Sequence, residues 1–249
     1  MLNRARAGLI VCLLCSAAQA EEVRVAVAAN FAPALKALAL VFEKGSGHKL
    51  VLSAGATGKL YAQIKSGAPF DVLLAADERT PTKLEQEGDA VTGTRFTYAS
   101  GKLVLWSARP GLVDEQGRVL FTGNFRHLAL ASPQLAPYGA AALQTLTALG
   151  LRNPLEPRFV QGESIGQTYS FVATGHAELG FVALSQVIEN GRVGRGSAWL
   201  VPASLYQPLR HDAVLLARAR HNPAASALLA FLKTDKAQTV IRSFGYETP

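Results

Sequence analysis

The chain has 249 residues, 49% of them hydrophobic and 17% charged, with a formal net charge of +7. This apolar content is ample for one large domain or two lobes. The basic residues are scattered (Arg24, Lys36, Lys44, Lys49, Lys59, Lys65 and Arg79 among them) and not gathered in runs with aromatics between, so the pattern of a nucleic-acid binder is excluded.

The first twenty residues read as an export signal. Arg4 and Arg6 are the charged start, Ala7 to Cys15 the apolar stretch, and Ala18-Gln19-Ala20 a small-x-small cleavage site. The apolar run is too short for a membrane span of ~20 residues. Both cysteines, Cys12 and Cys15, fall inside it. The exported chain then has neither disulfide nor thiolate metal site, and its formal charge falls by two arginines to +5.

From Glu22 onward strand and helix patterns alternate, which predicts an α/β fold with mostly parallel sheets. Glu22–Ala28 alternates as a strand. Leu35, Leu38, Val41 and Phe42 fall at helical spacing, with Pro33 acceptable in the first turn. Lys49–Ser53 predicts a strand and Leu60–Ile64 opens a helix. Val72–Ala75 is a short buried strand, and Pro81–Glu87 a polar helix. Strands follow at Leu103–Trp106 and His127–Ala131. A helix over Ala140–Leu149 ends at Gly150. Phe159-Val160 is extended, Gln167–Thr174 helical, and Leu179–Ala183 and Ala213–Leu216 are strands. Helices over Ala224–Leu232 and Asp235–Phe244 close the chain, the last stopped by Gly245. The segments Leu103–Trp106 and Ala213–Leu216 each leave one region and enter another. The expected organisation is a signal peptide, 1–20, a first lobe of 21–101 and 212–249, and an inserted second lobe, 102–211.

Four turns share one character: Ala29-Asn30-Phe31, Ser53 to Gly58, Ala136 to Gly139, and Gly162 to Gln167. Each lies between an extended run and a helical one, so each places free backbone N–H groups at a helix N-terminus, the end that favours an anion. None contains Lys or Arg. Taken singly, each is an ordinary helix cap. If the four converge, they form a neutral cage of donors, suited to a fully ionised oxyanion with no proton to give.

Competing motifs are weaker. Gly162-Glu163-Ser164-Ile165-Gly166 matches the G-x-S-x-G nucleophile elbow. A serine hydrolase using Ser164 would need an acid and a histidine downstream, and Asp212 with His221 is the one tidy pair. Gly55 to Leu60 hints at a P-loop but has Ser53 and Leu60 where a Gly and a hydroxyl residue are required. His48, His127, His176, His211 and His221 show no ligand spacing and read as surface or satisfied histidines. Asp71, Asp77 and Glu78 read as solvated acids at a strand's ends.

Seven stretches in order carry a resemblance to a known family: Val25–Phe31 (VAVAANF), Ser53–Pro69 (SAGATGKLYAQIKSGAP), Asp71–Glu78 (DVLLAADE), Tyr98–Pro110 (YASGKLVLWSARP), Ser132–Gly139 (SPQLAPYG), Glu163–Gln167 (ESIGQ) and Gly180–Gln186 (GFVALSQ). With them the chain resembles the periplasmic molybdate-binding proteins of bacterial ABC importers. The resemblance implies a two-lobed periplasmic binding protein (type II), each lobe a mostly parallel sheet flanked by helices, with the ligand between the lobes. It implies capture of molybdate or tungstate, no catalysis, no cofactor, and no directly coordinated metal cation. The implied partner is the membrane permease of an importer; the protein would be a periplasmic monomer.

Carried over position by position, the resemblance assigns Asn30 and Thr57 as donors from the first lobe, and the backbones of Tyr138 and Ile165 as donors from the second. Ala29 stands where some members have a hydroxyl. Ala183 and Leu184 stand where some members supply a Tyr hydroxyl, so that contact is missing here. Glu163, an acid within a binding turn, must point away from the anion or pair with a base. The alternatives are a binding protein for another oxyanion, such as sulfate, and the Ser164 hydrolase.

Overall fold

The computed structural model describes residues 20–189 and 191–249. The expected signal peptide therefore lies outside the described residues, except for Ala20. The elements in order are β1 (Glu22–Ala28), α1 (Ala32–Ser46), β2 (Lys49–Gly55), α2 (Thr57–Lys65), β3 (Val72–Leu74), α3 (Arg79–Gln86), β4 (Phe96–Gly101), β5 (Leu103–Ser107), α4 (Val119–Thr122), β6 (Leu128–Ala131), α5 (Pro137–Ala148), α6 (Arg152–Leu155), β7 (Phe159–Gly162), α7 (Ile165–Ala173), β8 (Leu179–Ala183), β9 (Ile188–Glu189), β10 (Arg192–Val193), β11 (Ser197–Leu200), β12 (Leu209–Leu215), α8 (Pro223–Leu232) and α9 (Asp235–Ser243).

They build two five-stranded sheets, ordered β2-β1-β3-β12-β4 and β11-β5-β8-β6-β7. The α/β class is as expected, and each sheet is mixed. In the first, β1 runs parallel to β2 and β3, while β12 is antiparallel to β3 and β4. In the second, β6 is parallel to β7 and β8, while β5 is antiparallel to β8 and β11. The antiparallel strands gather where the chain passes between the sheets. It leaves the first sheet at Gly101, enters the second at Leu103, and returns at Leu209, opposite Gly101. β12 therefore begins earlier than its apolar run, because Leu209 to Asp212 pair with β4 before that run starts. β4 and β11 have no clear period-two pattern in sequence and are recognised only through their partners.

Each sheet is covered on both faces. In β1, Val23, Val25 and Val27 face the core that also contains Leu35, Leu38 and Leu228 from α1 and α8, while Ala26 faces Leu60 and Leu84 from α2 and α3. A strand buried on both sides needs small or β-branched residues throughout, which Val25–Ala28 (VAVA) supplies once the exposed Arg24 is passed. The second sheet is treated alike, with Leu105, Leu128 and Phe181 against α5 and Val104, Ala129 and Val182 against α7. One cluster runs from this second core into the first sheet through Ala28, Ala56 and Ala76, which meet Tyr138 and Ile165.

This topology positions the site. β1 and β2 are parallel neighbours in register to their ends, Ala28 beside Gly55. β6 and β7 likewise end together, Ala131 beside Gly162. The turns at these four carboxyl ends lead into α1, α2, α5 and α7. In open α/β sheets, ligands bind outside the carboxyl ends of the strands.

Candidate functional site

Residues from all four turns line one small cavity: Ala28, Ala29 and Asn30; Gly55, Ala56 and Thr57; Ala136, Pro137 and Tyr138; and Ile165, with Ala76 completing the wall. No charged side chain is among them. The cavity measures about 10 Å³, far below the ~300 Å³ or more of sites for organic ligands. In this closed arrangement the space is that of about one water molecule, so the walls stand close around anything small held there.

The donors are free for a structural reason. The first N–H groups of a helix have no carbonyl one turn back. Among the described residues, none accepts from the N–H of Asn30, Thr57, Tyr138 or Ile165. Neighbouring amides do have partners: Ala29 N–H donates to Gly55 O at 2.9 Å, Gly58 N–H to Leu135 O at 2.8 Å and Gly139 N–H to Ala136 O at 2.9 Å. Ala29 thus lines the cavity with a methyl group, its own amide belonging to the sheet. The partial positive ends of α1, α2, α5 and α7 all meet there, so the field is positive without any formal charge.

Three side chains of the four turns have fixed orientations. Thr57, buried, accepts Ala76 N–H on Oγ1 at 3.1 Å. A hydroxyl has one proton and two lone pairs, so with one lone pair filled its proton is left for a ligand. Tyr138 turns its phenol the other way, to 3.5 Å from Nε2 of His211, and presents only its backbone to the cavity. Asn30 is 1% exposed, its carboxamide Nδ2 donating to Tyr246 Oη at 2.9 Å.

Glycines permit the close approach of the two halves. A Cβ on Gly58 would come within 3.1 Å of Leu135 Cα, on the far side of the cleft, and one on Gly139 would lie 2.2 Å from Ala131 O. The first allows α2 to meet the β6–α5 loop, and the second lets the first turn of α5 sit on the end of β6.

A larger cleft of about 700 Å³ opens beside the cavity, sharing Gly55 and Ala56 with it and lined further by Lys59, Glu163, Ser164 and Gln167. Here Lys59 and Glu163 form an ion pair across the two halves, with both side chains partly exposed. The acid in the fourth turn therefore points away from the cavity, toward a base.

The competing motifs have other roles in the fold. Ser164 caps α7, its Oγ accepting Gln167 N–H at 3.2 Å, and among the described residues no histidine bonds to it. Asp212, fully buried, accepts from Arg95 Nη1 at 2.6 Å and Thr97 Oγ1 at 2.7 Å, while His221 is exposed. Of the acids near β3, Glu78 is exposed as expected, but Asp71 and Asp77 are less solvated. Asp71 is buried and accepts Arg24 N–H at 2.8 Å, and Asp77 accepts from Thr80, in the first turn of α3, both its N–H at 2.7 Å and its hydroxyl at 3.2 Å. Burial raises the Asp77 pKa against the lowering effect of those Thr80 bonds. Among the described residues, no group of three or more His, Cys, Asp or Glu could hold a metal ion, and no helix is long and apolar enough to cross a membrane.

His211 departs from the expected surface or satisfied histidine. It is fully buried at the bulge of β12, ringed by Tyr98, Tyr138 and Tyr246 at 5.9, 5.9 and 5.4 Å between ring centroids. Its Nδ1 has no hydrogen-bond partner. Desolvation lowers its pKa to about 3, so it is neutral. Nothing local in the sequence marks it, because these neighbours come from three distant segments.

Residues 23–247 match the family described as bacterial extracellular solute-binding protein. The chain belongs to that family. It is similar to two proteins named molybdate-binding protein ModA. The one from Azotobacter vinelandii is 57% identical over 96% of this chain and 94% of the relative, and the one from Rhodobacter capsulatus is 51% identical over 93% and 90%. The solved structure of the Azotobacter vinelandii periplasmic molybdate-binding protein superposes with a TM-score of 0.89 at 46% identity, covering 91% of this chain and 99% of that one. The sulfate-binding protein SubI from Mycobacterium tuberculosis shares the fold alone, at 17% identity and a TM-score of 0.74. This solute-binding protein is thus no hydrolase: its relatives bind solutes, and Ser164 is a helix cap.

Proposed function

We propose that this protein captures molybdate or tungstate between its two halves and delivers the anion to the membrane permease of an ABC importer. One observation carries the reading: four partnerless N–H groups at helix N-termini, two from each half, line one small uncharged cavity. The names of its close relatives support molybdate as the ligand. The donors are Asn30, Thr57, Tyr138 and Ile165, with the methyl of Ala29 against the anion. The two sheets act as lobes that close on it, with the strand passages at Gly101–Leu103 and near Leu209 as the hinge. The chain works as an exported monomer in the periplasm, after loss of residues 1–20.

A donor-only cage discriminates in two ways. Phosphate carries a proton near neutral pH and finds no acceptor, whereas molybdate, tungstate and sulfate carry none. Sulfate is then separated by size, since a smaller tetrahedron cannot reach donors fixed on two lobes at once. Each charge-assisted bond contributes ~1.5–3 kcal/mol net. Several of them, less the costs of desolvation and lobe ordering, reach micromolar to nanomolar affinity, about −8 to −12 kcal/mol.

A thermal-shift series with oxyanions tests this. Molybdate and tungstate are expected to raise the melting temperature at micromolar concentration by mass action, with sulfate and phosphate needing far more. Equal stabilisation by sulfate would refute selection by size.

A further inference from the structure

Asn30 is gripped from outside the cavity by two hydroxyls that the cage does not contain. Its carbonyl accepts from Ser185 Oγ at 3.1 Å and lies 2.8 Å from Tyr246 Oη. Its carboxamide Nδ2 donates to the same Tyr246 Oη, which stands 2.9 Å from Ser185 Oγ. A phenol has a single proton. One arrangement uses every group once: Asn30 Nδ2–H to Tyr246, Tyr246 O–H to Ser185, and Ser185 O–H back to the Asn30 carbonyl. The cycle begins and ends on Asn30. Its members are 1%, 4% and 8% exposed, so water competes little and each bond polarises the next.

The three residues come from distant parts of the chain. Asn30 lies in the β1–α1 turn, Tyr246 follows α9, and Ser185 leaves β8 in the second sheet. Tyr246 is itself fixed, with Phe31 edge-on at 5.3 Å. The Ser185 hydroxyl therefore reaches across from the second half to the carbonyl of a first-half donor residue.

We propose that Ser185 and Tyr246 are positioning residues for the bound oxyanion, holding the Asn30 turn so that its backbone N–H faces the cavity. This rests on the oxyanion reading above and deepens it. The turn is short, and the Asn30 N–H has no protein partner among the described residues. A hydrogen bond weakens steeply once its angle falls toward ~120°, so a turn free to rock would lose its donor. Because Ser185 holds it from the opposite half, the direction of the Asn30 donor depends on the two halves being together.

The test is isothermal titration with molybdate on wild type, Ser185→Ala, Ser185→Thr, Tyr246→Phe and the double variant Ser185→Ala/Tyr246→Phe, with the melting temperature of each measured without ligand. Ser185→Ala is expected to weaken binding about 3- to 10-fold, and Tyr246→Phe about 10-fold, since the latter leaves the Asn30 Nδ2 without its acceptor. The double variant should lose less than the product of the two, because the bonds form one network. Ser185→Thr, which keeps the hydroxyl, should restore most of the affinity. A purely structural role would lower the ligand-free melting temperature and leave Kd alone. Kd values within twofold of wild type for both Ser185→Ala and Tyr246→Phe would overturn the positioning role while leaving the oxyanion reading intact. Absence of molybdate binding by wild type would overturn both.

Discussion

Replacing Thr57 by Ala removes two things at once. The Thr57 hydroxyl accepts the N–H of Ala76 at 3.1 Å, which directs its own proton toward the cavity. The variant loses a donor to a doubly charged anion in a closed, water-poor site, worth ~1.5–3 kcal/mol. It also leaves the Ala76 N–H, on a residue 2% exposed, without its acceptor. This second cost is present with and without ligand, so it lowers stability and leaves affinity largely unchanged. Isothermal titration should therefore show a loss of roughly ten- to a hundred-fold in affinity, and the ligand-free melting temperature should fall as well. Thr57→Ser keeps both bonds and should bind near wild type. Tyr138→Phe is the internal control: its phenol faces His211, away from the cavity, and the backbone N–H is untouched, so affinity should change little. A large loss in Tyr138→Phe with a silent Thr57→Ala would refute the assignment of donors, with the phenol and not the Thr57 hydroxyl gripping the anion.

Three further outcomes are expected. His211 stays neutral in the fold down to about pH 3, whereas in the unfolded chain it takes a proton near ~6.5. The unfolded state thus binds more protons below neutrality, and stability is lost as the pH falls from about 6.5 toward 3. The loss is roughly 2 kcal/mol by pH 5, and His211→Gln should flatten that slope in thermal melts between pH 7 and 5. Glu163→Gln releases Lys59 at the mouth of the cleft; stopped-flow association of molybdate should accelerate about two- to fivefold at low salt and the gain should fade as salt is added. Its melting temperature should hardly move, since an exposed pair contributes ~0–1 kcal/mol; an unchanged rate at low salt would argue against steering by Lys59. Gly58→Ala drives a Cβ to 3.1 Å from Leu135 Cα across the cleft and should weaken binding about tenfold with little change in ligand-free stability. Wild-type affinity in that variant would mean the halves need not approach so closely.

The sequence by itself determined the class of fold and the four places where a ligand could be held. Hydrophobic runs such as VAVA, Val25–Ala28, have the composition of a strand buried on both faces, and the breaks after Ala28, Gly55, Ala131 and Gly162 mark where strand gives way to helix. Those are local properties, set by side-chain volume and backbone freedom within a few residues. The absence of Lys and Arg from the four turns was equally legible, and with it the neutral character of the cage. The sequence also required that Glu163 point away from the anion or pair with a base, but not that Lys59, 104 residues away, is that base. β4 and β11 were missed because their strand character comes from partners and not from their own pattern.

Only the tertiary structure decided that the four turns converge, because convergence depends on the order of strands in two sheets and on how the sheets face each other. It also decided which amides are free. Ala29 and Asn30 are adjacent and look alike as turn residues, yet the first bonds to Gly55 and the second has no partner among the described residues, a difference set by where β2 ends. The same holds for Asn30, Ser185 and Tyr246, and for His211 among its tyrosines. Their contacts join residues 155 and 216 positions apart in the first case, and no periodicity or motif within a segment carries the signal of a hydrogen bond whose two ends meet only when the chain is folded.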